Sequence, residues 1–336
     1  MLSAPSQVLV RNQEHFAQGK WLIVNPTDSA IFAELPNSEF VGLHQYFDIY
    51  QQCIAKDDKN EHLFGASWDL NNDFDGAIIY MPKSKEHAAM LIANMAACVK
   101  QQGTLFLVGE NKSGIKSAPK LFDKVSIQSY KIDSARHCAL YCGAVGNPTS
   151  FNIDDWVQYK ELNMQKSVVS IAFLPGVFSS GELDAGTKLL VDNIQPNLTG
   201  KVLDFACGAG IIACAVASEH SDVELTLCDV NALALYCARL SLKKNNLKGD
   251  VIASNGLAEI GGKFNHIFTN PPFHTGIKTD YSVTEEFIGE VKSRMLPNAS
   301  LTLVANRFLP YPDILKASLG RVKTIAQTTK FNLYQS

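Results

Sequence analysis

Short apolar runs alternate with longer stretches in which apolar residues recur every three or four positions, along nearly the whole chain. Runs at 21–25, 77–81, 104–109 and 138–143 predict strands in the first half. Those at 202–205, 224–228, 250–253, 266–269 and 300–305 predict strands in the second. Helical spacing predicts helices over 86–101, 211–219, 233–245 and 285–294. Alternation of this kind predicts βαβ units around a mostly parallel sheet, an α/β fold. The stretch 146–163 is richer in turn-forming and polar residues, so it is the expected linker between domains at 1–155 and 156–336.

The two halves resemble each other. Phe74-Asp75-Gly76-Ala77-Ile78-Ile79-Tyr80-Met81-Pro82 parallels Phe264-Asn265-His266-Ile267-Phe268-Thr269-Asn270-Pro271-Pro272, an offset of 190 (264 against 74). Gly103-Thr104-Leu105-Phe106-Leu107-Val108-Gly109 parallels Ala299-Ser300-Leu301-Thr302-Leu303-Val304-Ala305, an offset of 196 (299 against 103). Nearly equal offsets are what one duplicated fold with small insertions produces.

Composition narrows the class. The chain has 336 residues, 46% apolar and 19% charged, with 30 basic and 33 acidic side chains and a formal net charge of −3. That length suits about two domains, and the apolar content excludes wholesale disorder. The most apolar stretch, 88–99, contains Asn94 and is too short for a bilayer, which needs about 20 residues. The N-terminus lacks a basic start followed by an apolar core, so no secretory signal is expected. The eight cysteines (53, 98, 138, 142, 207, 214, 228 and 237) form no C-x-x-C pair and no array with zinc spacing, so no metal is expected and they suit a reducing, cytoplasmic setting.

Two segments carry chemistry. In Lys201-Val202-Leu203-Asp204-Phe205-Ala206-Cys207-Gly208-Ala209-Gly210-Ile211-Ile212-Ala213, a buried strand runs through a turn of small residues into a helix. Gly208 and Gly210 allow close backbone approach to a ligand, and the helix start offers unpaired N–H donors. Asp229, at the end of the next strand, is placed to accept both hydroxyls of a ribose. Gly208-x-Gly210-x-x-Ala213 also satisfies a dinucleotide fingerprint. Asp204 argues against it, because a pyrophosphate would suffer that nearby charge, whereas a cofactor with an ammonium and a sulfonium would not. S-adenosylmethionine is therefore favoured over NAD.

The second segment is Asn270-Pro271-Pro272-Phe273, at the carboxyl end of the strand 266–269. Open α/β sheets bind ligands at that edge. The prolines remove N–H donors and stiffen the turn. A planar amine then donates to the Asn270 oxygen and the Pro271 carbonyl, which holds its lone pair out of plane, while Phe273 offers a stacking face. An amino group on a planar ring and an amide both meet that description.

Asp204-x-Ala206-x-Gly208-x-Gly210 followed by Asn270-Pro-Pro-Phe273 resembles a class I S-adenosylmethionine-dependent methyltransferase. With Leu174-Pro175-Gly176-Val177-Phe178-Ser179, Gly181-x-Leu183-Asp184-x-Gly186 and Val304-Ala305-Asn306-x-Phe308-Leu309-Pro310-Tyr311-Pro312, the chain is similar to the bacterial ribosomal RNA small subunit methyltransferase C family. Val108-Gly109-Glu110-Asn111-Lys112-Ser113-Gly114 and Asp133-Ser134-Ala135-Arg136 extend the likeness into the first half. The resemblance implies two tandem Rossmann-like class I methyltransferase domains, the first degenerate and the second binding S-adenosylmethionine. It implies methyl transfer to a guanine N2 in 16S rRNA of the 30S subunit, by a cytoplasmic monomer with no membrane association. Transfer to another planar nitrogen, and an inactive RNA-binding or chaperone protein, stay open as alternatives.

By that resemblance Phe178 and Asp184 form an entrance segment near the amino end of the cofactor. Cys207, Val230, Asn255 and Gly256 line it with the residues above. The family usually has glycine where this chain has Ala206, whose methyl group is expected to weaken cofactor affinity without abolishing it. Residues 1–110 carry 7 basic and 13 acidic side chains, whereas 111–136 carry 6 basic and 2 acidic. Lys83, Lys85, Lys112, Lys116, Arg136 and Arg307 are the expected RNA contacts, and Arg239, Lys243, Lys244 and Lys248 form a second basic group.

Overall fold

A single strand order, used twice, organises the chain. The computed structural model describes residues 2–35, 39–146, 150–178, 183–271 and 282–336. It divides into two compact units, Met1–Trp156 and Val157–Ser336.

The first unit runs α1 (Ala4–Arg11), β1 (Lys20–Val24), α2 (Ile31–Glu34), β2 (Glu39–His44), α3 (Phe47–Lys56), β3 (Glu61–Phe64), β4 (Phe74–Tyr80), α4 (Lys85–Cys98), β5 (Val99–Glu110), α5 (Ala118–Phe122), β6 (Ser126–Ala135) and β7 (Cys138–Val145). The second runs β8 (Gln158–Asn163), β9 (Val168–Phe173), α6 (Ala185–Val191), β10 (Gly200–Phe205), α7 (Ile211–Glu219), β11 (Val223–Asp229), α8 (Ala232–Lys244), β12 (Gly249–Ala253), β13 (Phe264–Thr269), α9 (Ser282–Glu290), β14 (Met295–Asn306), α10 (Tyr311–Leu319), β15 (Lys323–Gln327) and β16 (Phe331–Gln335).

Among the described residues the sheets are ordered β3-β2-β1-β4-β5-β7-β6 and β12-β11-β10-β13-β14-β16-β15. Counted along the chain within each sheet this is one topology, parallel except for β7 and β16, each antiparallel to both of its neighbours. Such a sheet buries both faces under helices, which is why its central strands read as continuous apolar runs. Leu22, Val24, Ala77 and Ile79 face one core of the first unit, and Trp21, Ile23, Ile78 and Tyr80 face the other.

Three sequence expectations need correction. The helix expected over 86–101 ends at Cys98, because Val99 is extended and already pairs with Phe74. The expected linker 146–163 contains β8, which pairs with β9 as a separate hairpin. The helix expected over 285–294 is α9 followed by a 3-10 turn at Val291–Arg294.

Candidate active site

The carboxyl ends of β10, β11, β12 and β13 meet at one edge, and the turns there place the functional side chains. After β10 the chain reverses through Ala206, with φ +56°. The Cys207 N–H donates to the Cys228 carbonyl at 2.9 Å, and the Gly210 N–H to the Cys207 carbonyl at 2.9 Å. Gly208 (φ +53°) and Gly210 (φ +79°) serve different ends. A Cβ on Gly208 would meet nothing within 4 Å among the described residues, so its backbone is open on that side to them. A Cβ on Gly210 would lie 3.2 Å from Leu227 and 3.4 Å from Ala238, so that glycine lets α7 pack on β11 and α8. A left-handed conformation disfavours any side chain and favours glycine at position 206. Ala206 carries a backbone cost, a physical reason distinct from crowding of the cofactor.

Asp204 is buried, with 1% of its surface exposed. Its Oδ2 accepts from the Ala213 N–H at 3.0 Å, in the first turn of α7. Its Oδ1 has no hydrogen-bond partner among the described residues. Burial pushes this carboxyl up to about 7 against the pull of the Ala213 N–H, and Asp229 adds to the rise. An orphaned buried carboxylate oxygen beside the open ground at Gly208 fits a cationic nucleoside ligand. Asp229 accepts from the Gly208 N–H (Oδ2) and the Asn231 N–H (Oδ1), each at 2.9 Å. Each oxygen keeps a second lone pair for a ribose hydroxyl. Burial raises this carboxyl too.

Val230 follows Asp229 and is half-buried. Cys207 is buried, which raises its thiol well above the usual range and makes it a small apolar wall residue. Ser254 holds the next turn against this strand: its N–H donates to the Asp229 carbonyl at 3.1 Å and its hydroxyl to the Gly256 carbonyl at 2.9 Å. Asn255 is exposed there, and a Cβ on Gly256 would meet nothing within 4 Å among the described residues.

Asn270 leaves β13 at the same edge. Thr269 anchors it by donating its hydroxyl to the Phe205 carbonyl at 2.9 Å. The Asn270 Nδ2 donates to Asp184 Oδ2 at 3.0 Å and to Thr187 Oγ1 at 2.9 Å. The same Asp184 oxygen caps α6, accepting from the Gly186 and Thr187 N–H groups at 3.0 Å each. A carboxylate only accepts, so the amide orientation is settled chemically. Both Nδ2 hydrogens are committed, and Oδ1 is the atom Asn270 has for a substrate amine. Asp184 therefore serves Asn270, which the expectation of an entrance segment at the cofactor missed. Thr187 was missed altogether, although an Asp two and three residues ahead of Gly186 and Thr187 is an N-cap signal. Pro271 is buried; Pro272 and Phe273 lie outside the described residues.

Phe178 is 67% exposed and Phe308 75%. Arg307, after β14, donates to the Thr328 carbonyl at 3.4 Å. Of the second basic group, Arg239 donates to the Val251 carbonyl at 2.9 Å and Lys244 lies 5.4 Å from the Tyr159 ring centroid, so both have work inside the unit. In the first unit Lys83 and Lys85 follow β4, and Lys112 and Lys116 follow β5. Arg136 sits in the β6–β7 turn, whose His137 carbonyl accepts from the Asn111 N–H at 2.7 Å. All five therefore share the carboxyl edge of the first sheet. Lys112 pairs with Glu110 at 2.6 Å.

The first unit's counterpart of the site is closed. Register equates Trp21 with Val202 and Gly76 with His266, and hence Asn25 with Ala206 and Tyr80 with Asn270. Asn25 has φ +52°, the same left-handed turn. The turn Asn25-Pro26-Thr27-Asp28-Ser29 has no glycine. The Tyr80 hydroxyl is 2.7 Å from Ser6 Oγ, and Ser6 donates to Asp28 Oδ2 at 2.6 Å. Helix α1, capped by Ser3 as α6 is by Asp184, thus bonds through Ser6 to the side chain that stands at the Asn270 position.

The model of the methyltransferase small domain matches residues 168–335, and that of the methyltransferase small domain N-terminal region matches 6–159. Ribosomal RNA small subunit methyltransferase C of Pseudoalteromonas atlantica is 51% identical over 339 residues, covering 99% of both chains. The protein of that name from Alteromonas mediterranea is 40% identical, covering 100% of this chain and 99% of the other. A T. thermophilus 16S rRNA N2 G1207 methyltransferase, solved with AdoMet and guanosine, shares the fold with a TM-score of 0.86 at 18% identity, over 99% of this chain and 91% of the other. The chain belongs to the ribosomal RNA small subunit methyltransferase C family.

Proposed function

We propose that the second unit transfers a methyl group from S-adenosylmethionine to the exocyclic N2 of a guanine in 16S rRNA. The observation that carries this reading is the Asn270 amide, pinned by Asp184 and Thr187 so that it presents its oxygen at the ligand edge of the sheet. S-adenosylmethionine supplies an electrophilic methyl group and two positive centres, the sulfonium and the ammonium.

Asp204 gives those charges a buried negative neighbour, Gly208 leaves room for the ligand against the backbone, and Asp229 offers its remaining lone pairs to a ribose. The Asn255–Gly256 turn borders the same space. Asn270 Oδ1 and the Pro271 carbonyl accept from the guanine amine, which turns its lone pair out of the ring plane. The sequence puts Phe273 next, as a stacking face for a base drawn out of its own stack. Orientation and polarisation then supply most of the rate, and no general base is required.

The first unit, on this reading, grips RNA through Lys83, Lys85, Lys112, Lys116 and Arg136, with Arg307 contributing from the second. The protein acts as a cytoplasmic monomer on the small subunit. Eight free, buried cysteines support a reducing setting, and no helix among the described residues is long and apolar enough to cross a membrane. The test offers labelled cofactor to 30S subunits lacking the modification, to naked 16S rRNA and to a peptide-chain release factor. Label in 30S or naked 16S rRNA supports the proposal. Label in the release factor establishes the glutamine-amide alternative, and label in none, with cofactor bound, the inactive RNA-binding one.

A further inference from the structure

We propose that the first unit binds a zinc-type metal ion between His44, Cys53 and His62. These residues come from the end of β2, the middle of α3 and the middle of β3, and all three are buried. One donor atom from each lies within 4.8 Å of the others. The intervals of nine residues match no zinc motif, which is why the sequence led to an expectation of no metal; the fold brings the donors together.

The hydrogen bonding already sets one ligand in the form a metal needs. His62 Nε2 is 3.1 Å from Asp57 Oδ2. Asp57 Oδ1 also accepts from the Lys59 and Asn60 N–H groups at 3.1 and 3.3 Å, and its Oδ2 from the Asn60 amide at 2.8 Å, the surroundings of an ionised carboxylate. An ionised carboxylate only accepts, so His62 carries a proton on Nε2, and in the neutral ring that a metal needs the lone pair is on Nδ1. A carboxylate orienting an imidazole in this way is the usual outer partner of a metal-bound histidine. The Nδ1 lone pair is 3.0 Å from His44 Nε2, which therefore holds the proton between them. His44 Nδ1 is buried and has no hydrogen-bond partner among the described residues.

An ion entering this cluster takes the place of the shared proton. His44 moves that proton from Nε2 to its unpartnered Nδ1, the Cys53 thiol gives its proton to solvent, and one proton is released per ion bound. Metal–nitrogen bonds of about 2.0–2.1 Å in tetrahedral geometry place two nitrogens roughly 3.3 Å apart, so the pair needs to open by only a few tenths of an ångström.

The comparison of copies sharpens the case. Register and helix caps equate His44 with Asp229, His62 with Val251, Gly42 with Leu227 and Cys53 with Ala238. A Cβ at Gly42 would come within 2.3 Å of His62 Nδ1 and 2.7 Å of His44 Nε2, so that glycine makes the room the imidazoles fill. The position that offers a ribose acid in the second unit thus carries one ligand in the first. The ion would tie β3, a four-residue edge strand, to β2 and α3.

Metal-free full-length protein is titrated with cobalt(II), then zinc(II) against a chelating indicator, with proton release followed in weak buffer. One equivalent, a sulfur-to-cobalt charge-transfer band, displacement by zinc and one proton released are expected. Cys53→Ala and His62→Val, each the residue present in the second copy, lose the band and bind zinc roughly a hundredfold more weakly, and Asp57→Asn weakens it roughly tenfold. Folded wild-type protein that takes up no ion at micromolar concentration overturns the proposal. So does a band that survives Cys53→Ala, which would place the ion on other cysteines.

Discussion

The amide nitrogen of Asn270 lies 3.0 Å from the carboxylate of Asp184, and that same oxygen caps helix α6. One residue thus fixes a helix start and the direction in which Asn270 presents its oxygen. The two roles separate by mutation. Asp184→Ala removes the cap, costing about 1 kcal/mol of stability, and also frees the amide. Thr187→Val keeps the Asp184 cap and removes a single bond to Asn270. We expect kcat to fall roughly 10- to 100-fold in both, with the melting temperature lowered only in Asp184→Ala. Loss of stability without loss of kcat in Asp184→Ala would show that Asn270 is held by other means.

Ala206 holds a left-handed backbone at the turn that borders the cofactor site. Relief of that conformation is worth about 1 kcal/mol, partly offset by the greater freedom of glycine in the unfolded chain. Ala206→Gly is expected to raise the melting temperature slightly and leave cofactor affinity equal or tighter. Ala206→Val, branched at Cβ, is expected to lower both. Thermal unfolding and calorimetric titration with cofactor check the pair.

Asp204 links cofactor binding to pH. Its folded-state value of about 7 lies above that of an unfolded carboxyl, so its contribution to stability is present at acid pH and fades as pH rises from about 4 to 7. A cation beside it favours the ionised form, so binding below pH 7 releases a proton. Cofactor affinity should therefore rise by up to roughly tenfold per pH unit below about 7 and level off above it. Asp204→Asn should flatten that profile; a profile unchanged by the substitution would assign the dependence to another group.

The five basic residues at the carboxyl edge of the first sheet supply the expected grip on RNA. Charge reversal of Lys83 and Lys85 should weaken RNA binding at least several-fold and reduce its salt dependence, while cofactor affinity stays unchanged. Equal RNA affinity in filter binding at two salt concentrations would remove both from the interface.

The duplicated topology was legible because buried parallel strands write themselves as apolar runs, and the pairs 74–82 with 264–272 and 103–109 with 299–305 preserved that writing. Strands β3 and β6 were not legible: one has four residues, and the other, Ser126–Ala135, is mostly polar. The overrun of α4 came from Val99, apolar and in phase, where the chain turns straight into β5. The meeting of Asp204, Gly208, Asp229 and Asn270 at one edge of the sheet was legible from residue type and spacing. The bonds from Asn270 to Asp184 and Thr187 were not, because they join residues more than 80 positions apart. Nor was the left-handed turn at Ala206, since a sequence shows a methyl group but no φ.

The account rests on Asn270 in the second unit presenting its oxygen to a guanine amine. The most direct test compares wild-type protein with Asn270→Ala on unmodified 30S subunits and labelled cofactor, followed by nucleoside analysis and a separate measurement of cofactor affinity. The predicted result is label in N2-methylguanosine of 16S rRNA for the wild type, with Asn270→Ala binding cofactor nearly unchanged but transferring roughly a hundredfold more slowly. Label in a different nucleoside, or an Asn270→Ala rate within a few-fold of wild type, would contradict it.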